Sequence, residues 1–409
     1  MSITTRAIPL IAIILTVLTP MYACQIQQVP GTVVKVAKVD TEYIYEGNID
    51  IAVRSWRESQ RSRLSNFIGF TPNEILQVRE LAIISEIRKE IKRLPGVEIS
   101  SQEKTKLADR QVEELAWDIY RQLVENPGSF ADLAMRWSEA PSARNGGQLL
   151  PFTGTNNPET YQSLAYTMGV GEISEPFKSW DGWRIIRLDA INEDELNGTS
   201  YTISMILLTP NQNKAEDTLI DKIAEEHTIE ILDPKYNARR SYIQGDYQYA
   251  LEQANSAVVR DKTDDLAYYL QARCLWQLDR KDEAIDAMTS AAANGKVADG
   301  LIPYYHFFSG QYYEELKRPQ DALTAYQSSY VAWQQDYTIS LSLLDAFTRL
   351  GDTVNLAKMQ AEIDSMRKQD RTTLFYSPPD FTKAMIVTGS GTFEDISAVY
   401  EPGYRAKDE

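Results

Sequence analysis

The fold of this chain is decided by residues 127–188, which read PGSFADLAMRWSEAPSARNGGQLLPFTGTNNPETYQSLAYTMGVGEISEPFKSWDGWRIIRL. Apolar residues recur at helical spacing over 112–123, just before this stretch, and again over 130–137. Pro127-Gly128 stops the first helix, so a tight turn joins the two helices. Near the far end, Asp181-Gly182 is a favoured two-residue hairpin turn between two β-prone runs. The stretch therefore predicts an α+β arrangement of helices and an antiparallel sheet.

Three sequence blocks in this order resemble the parvulin-type peptidyl-prolyl cis-trans isomerases. They are Ser129-Phe130-Ala131-Asp132-Leu133-Ala134, then Asn145-Gly146-Gly147-Gln148-Leu149, and then residues 170–176 running on to 182–188. Each block alone is a weak signal, whereas their joint order is specific. The resemblance implies a parvulin-like isomerase domain over residues 111–192, with residues 78–85 as the candidate for its first strand.

The resemblance also implies the position of the site. Parvulins usually place two His on the floor of the site and a Cys or Asp beside them, while apolar side chains hold the proline ring. The first His falls near Ala82 if residues 78–85 form the first strand, the second falls on Arg184, and the Cys or Asp falls on Ala140. The substrate-binding positions fall on Leu149, Phe152, Tyr161 and Asn157, the last in a place usually held by Met.

Arg184, as the candidate catalytic residue, has two interpretations. It can donate a charge-assisted hydrogen bond to the substrate carbonyl, or it can form an outward salt bridge. Isomerisation involves no covalent chemistry and needs only a site that favours the twisted amide over the planar one. Because the usual polar positions are replaced, we expect a domain that binds prolyl peptides with weak or no isomerase activity, and the assignment as an enzyme stays open.

Residues 33–110 open with two short β-prone runs around Asp40-Thr41 and continue as helices. This opening resembles the SurA- and PrsA-type foldases, except at Thr41, where those proteins usually carry Gly. The resemblance implies that residues 196–234 return to a mainly helical chaperone domain into which the isomerase domain is inserted. The strand-like run 201–209 has two interpretations, because it can complete the isomerase sheet or begin a truncated second copy.

Residues 235–368 are repetitive. Several pairs of residues stand 34 positions apart, which is the period of tetratricopeptide repeats. The pairs are Tyr242 with Trp276, Ala250 with Ala284, and Ala257 with Ala291. We expect an all-α solenoid of four helix pairs that binds an envelope protein partner, with its tyrosines mostly packed between helices. Residues 369–409 show no period and have no functional interpretation.

The first 24 residues read as a signal peptide of the lipoprotein type. Arg6 supplies a positive charge, residues 7–18 are almost wholly apolar, and Ala23-Cys24 follows. Cys24 after a small residue resembles a bacterial lipobox, in which the Cys is acylated. Ordinary signal cleavage beside an incidental cysteine is the alternative. The lipid-anchor interpretation predicts a bacterial cell-envelope protein that is tethered to the membrane and faces the periplasm or the exterior.

Composition excludes several classes of function. The 409 residues carry 42 Lys and Arg against 58 Asp and Glu, and the resulting net charge of −16 disfavours nucleic acid as a partner. The two His and two Cys show no metal-ligand spacing, and no phosphate-binding glycine loop follows a strand. The sequence therefore predicts no metal and no cofactor.

Two functions remain. The first is an exported foldase that binds prolyl segments of unfolded envelope proteins and accelerates their cis/trans exchange, which is otherwise slow. The second is a non-catalytic lipoprotein scaffold or assembly factor that acts through its tetratricopeptide-like repeats. The polar content of the proline site distinguishes the two.

Overall fold

The computed structural model of the protein describes residues 34–63, 69–154, 159–194, 198–333, 335–369, 385–387 and 393–395. Cys24 and Asn157 lie outside the described residues, so the predictions made for them stay predictions. The elements up to residue 231 are β1 (Lys35–Val39), β2 (Glu42–Tyr45), α1 (Glu46–Arg63), α2 (Pro72–Ile91), α3 (Ser101–Glu125), α4 (Phe130–Trp137), β3 (Phe152–Thr153), α5 (Thr160–Ala165), β4 (Phe177–Ser179), β5 (Gly182–Asp194), β6 (Gly198–Leu208), α6 (Gln212–Ala224) and β7 (Ile229–Ile231).

A small antiparallel sheet of order β2-β1-β7 closes the first part of the chain on itself. β1 pairs with β7 so that Lys38 lies opposite Glu230. Apolar side chains of the sheet, α2 and α6 share one buried cluster, which includes Val36, Ile83 and Ile220. The pairing therefore brings Ile231 back beside Ala37 near the start of the described chain. We call residues 34–94 the N-terminal segment; the division of the chain into domains stays a prediction.

The prediction of a strand over residues 78–85 is wrong, because these residues lie inside α2. The Thr71 hydroxyl accepts a hydrogen bond from the Glu74 amide at 3.1 Å, and the Glu74 carboxylate accepts one from the Thr71 amide at 2.7 Å. This reciprocal capping box starts the helix, with Pro72 in its first turn. The β-branched side chains of the run then face the core at helical spacing, and this packing overrides their strand propensity.

The second sheet has four antiparallel strands in the order β3-β6-β5-β4. In the long β5–β6 pair, Arg184 lies opposite Leu207 and Ile186 lies opposite Met205. Helices α3 and α4 cover one face, where Ile185 and Ile206 belong to the same buried cluster as side chains of both helices. β6 lies between β3 and β5, so the run at residues 201–209 completes this sheet.

The rest of the chain is a stack of helices. Four consecutive helix pairs pack side by side, and a short antiparallel strand pair follows. Among the described residues, no helix is both long and apolar enough to cross a membrane. The elements are α7 (Pro234–Ile243), α8 (Tyr247–Arg260), α9 (Asp265–Gln277), α10 (Lys281–Asn294), α11 (Ile302–Glu315), α12 (Pro319–Ala332), α13 (Tyr337–Leu350), α14 (Thr353–Gln369), β8 (Met385–Val387) and β9 (Phe393–Asp395).

Small and aromatic residues hold the helix stack together. Ala250 and Ala284 are fully buried, because helices in contact need a short side chain between them. The rings of Trp276 and Tyr312 stack with their centroids 3.8 Å apart. Tyr269, Tyr304, Tyr305 and Tyr312 are all buried, so these predicted aromatics do pack between helices. The chain up to β7 is α+β, and the helices from α7 to α14 form an all-α solenoid.

Candidate functional site

The face of the four-stranded sheet opposite α3 and α4 carries the candidate site, and we call it the site face. Its floor is apolar, since Ile186 and Leu188 of β5 lie beside Ile203 and Met205 of β6, and all four are buried. Side chains alternate between the faces of a strand, which places Arg184 on the same face as Ile186. Apolar residues from the loops, β3, β4 and α5 join this cluster, namely Ala140, Leu149, Phe152, Tyr161, Leu164 and Phe177.

Aromatic rings form one side of the site face. The ring of Phe152 stands perpendicular to that of Tyr161, with centroids 6.2 Å apart, and stacks on Tyr201 at 5.9 Å. Tyr166 lies 4.8 Å from Tyr201. Burial and, to a smaller extent, the negative charge of the nearby Glu159 carboxylate raise the pKa of Tyr161, so its hydroxyl stays protonated at neutral pH. The arrangement is an apolar and aromatic surface of the kind that holds a proline ring.

Arg184 is held by its own hairpin. Its Nη1 and Nη2 donate to the two carboxylate oxygens of Asp181 at 2.6 and 2.8 Å, and Nη1 also donates to the Ser179 hydroxyl. Burial opposes ionisation of Asp181, but the hydrogen bonds from Ser179 and Arg184 outweigh it and lower the pKa of that carboxyl. The bidentate geometry fixes the guanidinium plane. Of the three guanidinium nitrogens of Arg184, Nε is buried without a hydrogen-bond partner.

The structure brings most of the predicted site residues together. Leu149, Phe152 and Tyr161 share one cluster with Ala140, and the guanidinium of Arg184 lies 5.9 Å from the ring of Tyr161. Their roles in binding or catalysis stay predictions. Ala82, predicted near the first His position, is instead buried within α2 in the cluster of the N-terminal segment, which is separate from the site cluster.

Sequence reasoning missed two parts of the site. Met205 lies at the centre of the floor, but it comes from a strand that follows the isomerase-like blocks, so its place depended on how the strands pair. The sequence did carry a signal for the clamp by Asp181 and Ser179. Asp181 stands three positions before Arg184, and the two-residue hairpin turn keeps the two side chains close.

Within the part of the chain that the structure describes, no group of three or more His, Cys, Asp or Glu side chains is placed to hold a metal ion. A cavity of about 520 Å³ lies elsewhere, at the start of α3, and its lining includes Lys106, Asp109 and Lys178. Lys178 and Asp109 form an ion pair across it. This cavity shares no residue with the site face.

The comparisons with known proteins agree with this fold. Residues 97–190 match the family model for the PPIC-type PPIase domain, named Rotamase. That range includes α3, α4, α5, β3 and β4 and most of β5, whereas β6 lies beyond it. Residues 97–190 thus form a parvulin-type peptidyl-prolyl isomerase domain, and helical repeats follow it in this chain.

Several curated proteins resemble part of the chain. Foldase protein PrsA of Caldanaerobacter subterraneus subsp. tengcongensis is 32% identical over 120 residues, covering 29% of this chain and 39% of PrsA. Chaperone SurA of Pseudomonas syringae pv. tomato is 31% identical over 137 residues, covering 33% of this chain and 30% of SurA. Peptidyl-prolyl cis-trans isomerase Pin1 of Digitalis lanata is 36% identical over 67 residues, covering 16% of this chain and 57% of Pin1. The chain thus matches less than two thirds of each of these relatives.

Proposed function

We propose that this chain is a foldase that holds prolyl segments of unfolded, exported polypeptides on the site face and isomerises them weakly or not at all. The apolar floor and the aromatic side suit a proline ring and the apolar residues next to it. The similarity to PrsA and SurA, named as a foldase and a chaperone, supports the same class of function. Uncatalysed prolyl exchange takes tens of seconds or longer. A prolyl segment that is bound on the site face during this time is kept from misfolding contacts.

The observation that carries this proposal is the clamp on Arg184. Isomerisation is accelerated only by groups that bind the twisted amide better than the planar one. Among the described residues of the floor, the charged side chain is that of Arg184, and it is already held by Asp181 and Ser179. The floor around it is formed by Ile186 and Met205, which have no polar group to offer. Binding therefore survives, whereas selective stabilisation of the transition state does not.

The experiment compares peptide binding and prolyl exchange in the same protein. Tyr161→Ala is expected to weaken binding of an unfolded proline-containing peptide about tenfold, or ~1.4 kcal/mol, because it removes an aromatic contact. The matched control is Tyr249→Ala, which alters a half-exposed tyrosine on α8 and leaves affinity unchanged. An NMR exchange assay is expected to show far less acceleration than an ordinary parvulin gives. Parvulin-like activity that Tyr161→Ala abolishes would contradict the proposal.

A second function, that of a non-catalytic scaffold or assembly factor, is favoured by the surface of the repeats. Val259 and Val331 lie near the C-terminal ends of α8 and α12, the second helices of two pairs, and are 77% and 85% exposed. Exposed apolar side chains repeated along a solenoid suit a protein partner. Replacing both by Ser is expected to abolish association with an envelope complex while peptide binding at Tyr161 is kept. Unchanged association would exclude this docking surface.

The proposed location is the bacterial cell envelope, with the chain anchored by an acyl group on Cys24. The support is the apolar run before Ala23-Cys24. Cys24→Ser is expected to release the protein from the membrane fraction and to abolish incorporation of a lipid label. A protein that still fractionates with membranes and carries no label in either form would contradict the anchor.

A further inference from the structure

Aspartates mark the start of the first helix in each of the four repeat pairs. Asp233, Asp264 and Asp336 are the N-cap residues of α7, α9 and α13, and Asp299 lies just before α11. Carboxylates are favourable here because the helix dipole is positive at its N-terminus. The first helices of neighbouring pairs contact each other, α7 with α9 and α11 with α13, and the Tyr305 hydroxyl of α11 donates to Asp265 of α9. The three N-cap aspartates, and Asp299 three residues before the first residue of α11, therefore follow one edge of the stack. We call them the cap row.

The N-terminal segment supplies an arginine to two members of the cap row. Arg79 of α2 donates through Nε to Asp233 at 2.8 Å, and Asp233 is fully buried. Arg57 of α1 donates to the side chain of Asp299 at 2.8 Å and also to its carbonyl oxygen. These contacts join residues more than 150 positions apart in the sequence. The two helices of the segment are therefore fastened to the ends of different repeat helices.

A third contact uses the backbone of Gly69. Its amide donates to Asp336 at 3.0 Å, and its carbonyl oxygen accepts from the Thr338 hydroxyl at 3.2 Å. The other carboxylate oxygen of Asp336 accepts from the Tyr304 hydroxyl at 2.6 Å. A Cβ atom at position 69 would overlap the Asp336 carboxylate, so only glycine fits without movement. The contact is therefore specific for this residue.

The next residue, Phe70, fills a place within the repeats. It is 2% exposed and belongs to the same buried cluster as Tyr269 and Tyr305 of α9 and α11. Its ring lies 4.8 Å from that of Trp56 on α1. Burying a phenylalanine contributes about 2 kcal/mol or more to the docked state. The segment is thus held by charge, by backbone hydrogen bonds and by apolar packing along one edge.

We propose that the cap row is an intramolecular docking site whose ligand is the N-terminal segment, and that the segment and the repeats open as one cooperative unit. The stability of the N-terminal segment and that of the first turn of α13 are then coupled. Loosening Gly69 must also loosen the first turn of α13, and loosening Asp336 must also loosen the segment. An outside partner that binds the cap row has to displace the segment.

Hydrogen exchange measured by mass spectrometry on the full chain tests this coupling. Gly69→Ala is expected to speed amide exchange about tenfold both in residues 46–63 and in residues 337–341, because the added Cβ displaces the buried Asp336 carboxylate from its hydrogen bond with the amide of residue 69. The matched control is Gly47→Ala in α1, where an added Cβ meets no atom within 4 Å. Exchange that rises only around residue 69, with residues 337–341 unchanged, overturns the proposal.

A milder variant covers the case in which Gly69→Ala does not fold. Arg57→Ala removes the half-buried ion pair with Asp299 and leaves the glycine contact in place. It is expected to speed exchange about threefold in α1 and at the start of α11, as suits a partly exposed pair. Arg54→Ala, an exposed arginine one turn earlier, is the control. Equal exchange in the two arginine variants overturns the proposal as well.

Discussion

The site face and the junction between the N-terminal segment and the repeats use charge in opposite ways. On the site face Arg184 is paired within its own hairpin, to Asp181 and Ser179, and the floor beyond it is apolar. At the junction Arg79 pairs with the fully buried Asp233, far away in the sequence. At the junction, charged pairs therefore join distant parts of the chain. On the site face, where a client is proposed to bind, the charge of Arg184 is neutralised within its own hairpin.

This difference has a physical consequence for specificity. A buried charge that loses its partner costs several kcal/mol, so the junction tolerates only one docking geometry. A second buried pair, Glu80 with Arg239 at 2.6 Å, reinforces that restriction between α2 and α7. Apolar contact is non-directional, so the client binding proposed for the site face would not depend on one sequence. We therefore expect the site face to be less selective in its contacts than the junction.

The largest effect is expected at the junction. Arg79→Ala leaves Asp233 buried without its main partner, and we expect the free energy of unfolding to fall by about 3–5 kcal/mol. Urea denaturation followed by circular dichroism measures this loss. Lys89→Ala is the control, since its ion pair with Glu86 is largely exposed on the lysine side and contributes less than about 0.5 kcal/mol. If the two variants lose equal stability, the junction does not depend on buried charge.

A smaller effect is expected from Asp265 at the start of α9. Burial raises the pKa of Asp265 to about 6, even though its carboxylate accepts a hydrogen bond from Tyr305 at 2.9 Å. A folded-state pKa above the unfolded value means that the folded protein holds this proton more tightly. Its contribution to stability is therefore present below about pH 4 and is lost as the pH rises through about 6.

Asp265→Asn removes this pH dependence. We expect the variant to be more stable than wild type at pH 8 by about 1–2 kcal/mol, after allowing for the lost charge at the helix start, and equal to it near pH 4. Urea denaturation at the two pH values measures the difference. Asp279→Asn is the control, because that side chain is 91% exposed. A constant difference between the two pH values would show that Asp265 does not titrate as described.

The smallest effect is expected on the site face. Arg184→Met removes the clamped charge and keeps a side chain of similar length, so affinity for a prolyl peptide is expected to change less than about twofold, within ~0.4 kcal/mol. Fluorescence anisotropy with the peptide used for Tyr161→Ala makes the two results comparable. A tenfold loss in Arg184→Met would mean that the arginine leaves Asp181 to contact the client, and the contrast with the junction would disappear.

Local features of the site were readable from the sequence. The blocks from Phe130 to Leu188 predicted the domain, and the turn at Asp181-Gly182 predicted the hairpin. Leu149, Phe152 and Tyr161 lie together as their positions implied. The roles of two apolar, β-prone runs were not readable, because residues 78–85 pack as part of α2 and residues 201–209 pair with both β3 and β5.

The sequence by itself determined what depends on neighbours along the chain: helical periodicity, turn residues, and the 34-residue spacing of small and aromatic side chains in the repeats. The tertiary structure alone decided that β6 pairs with β3 and that Gly69 meets Asp336. Both contacts join elements that are separated in the chain. Their free energies depend on distances in space that no local pattern encodes.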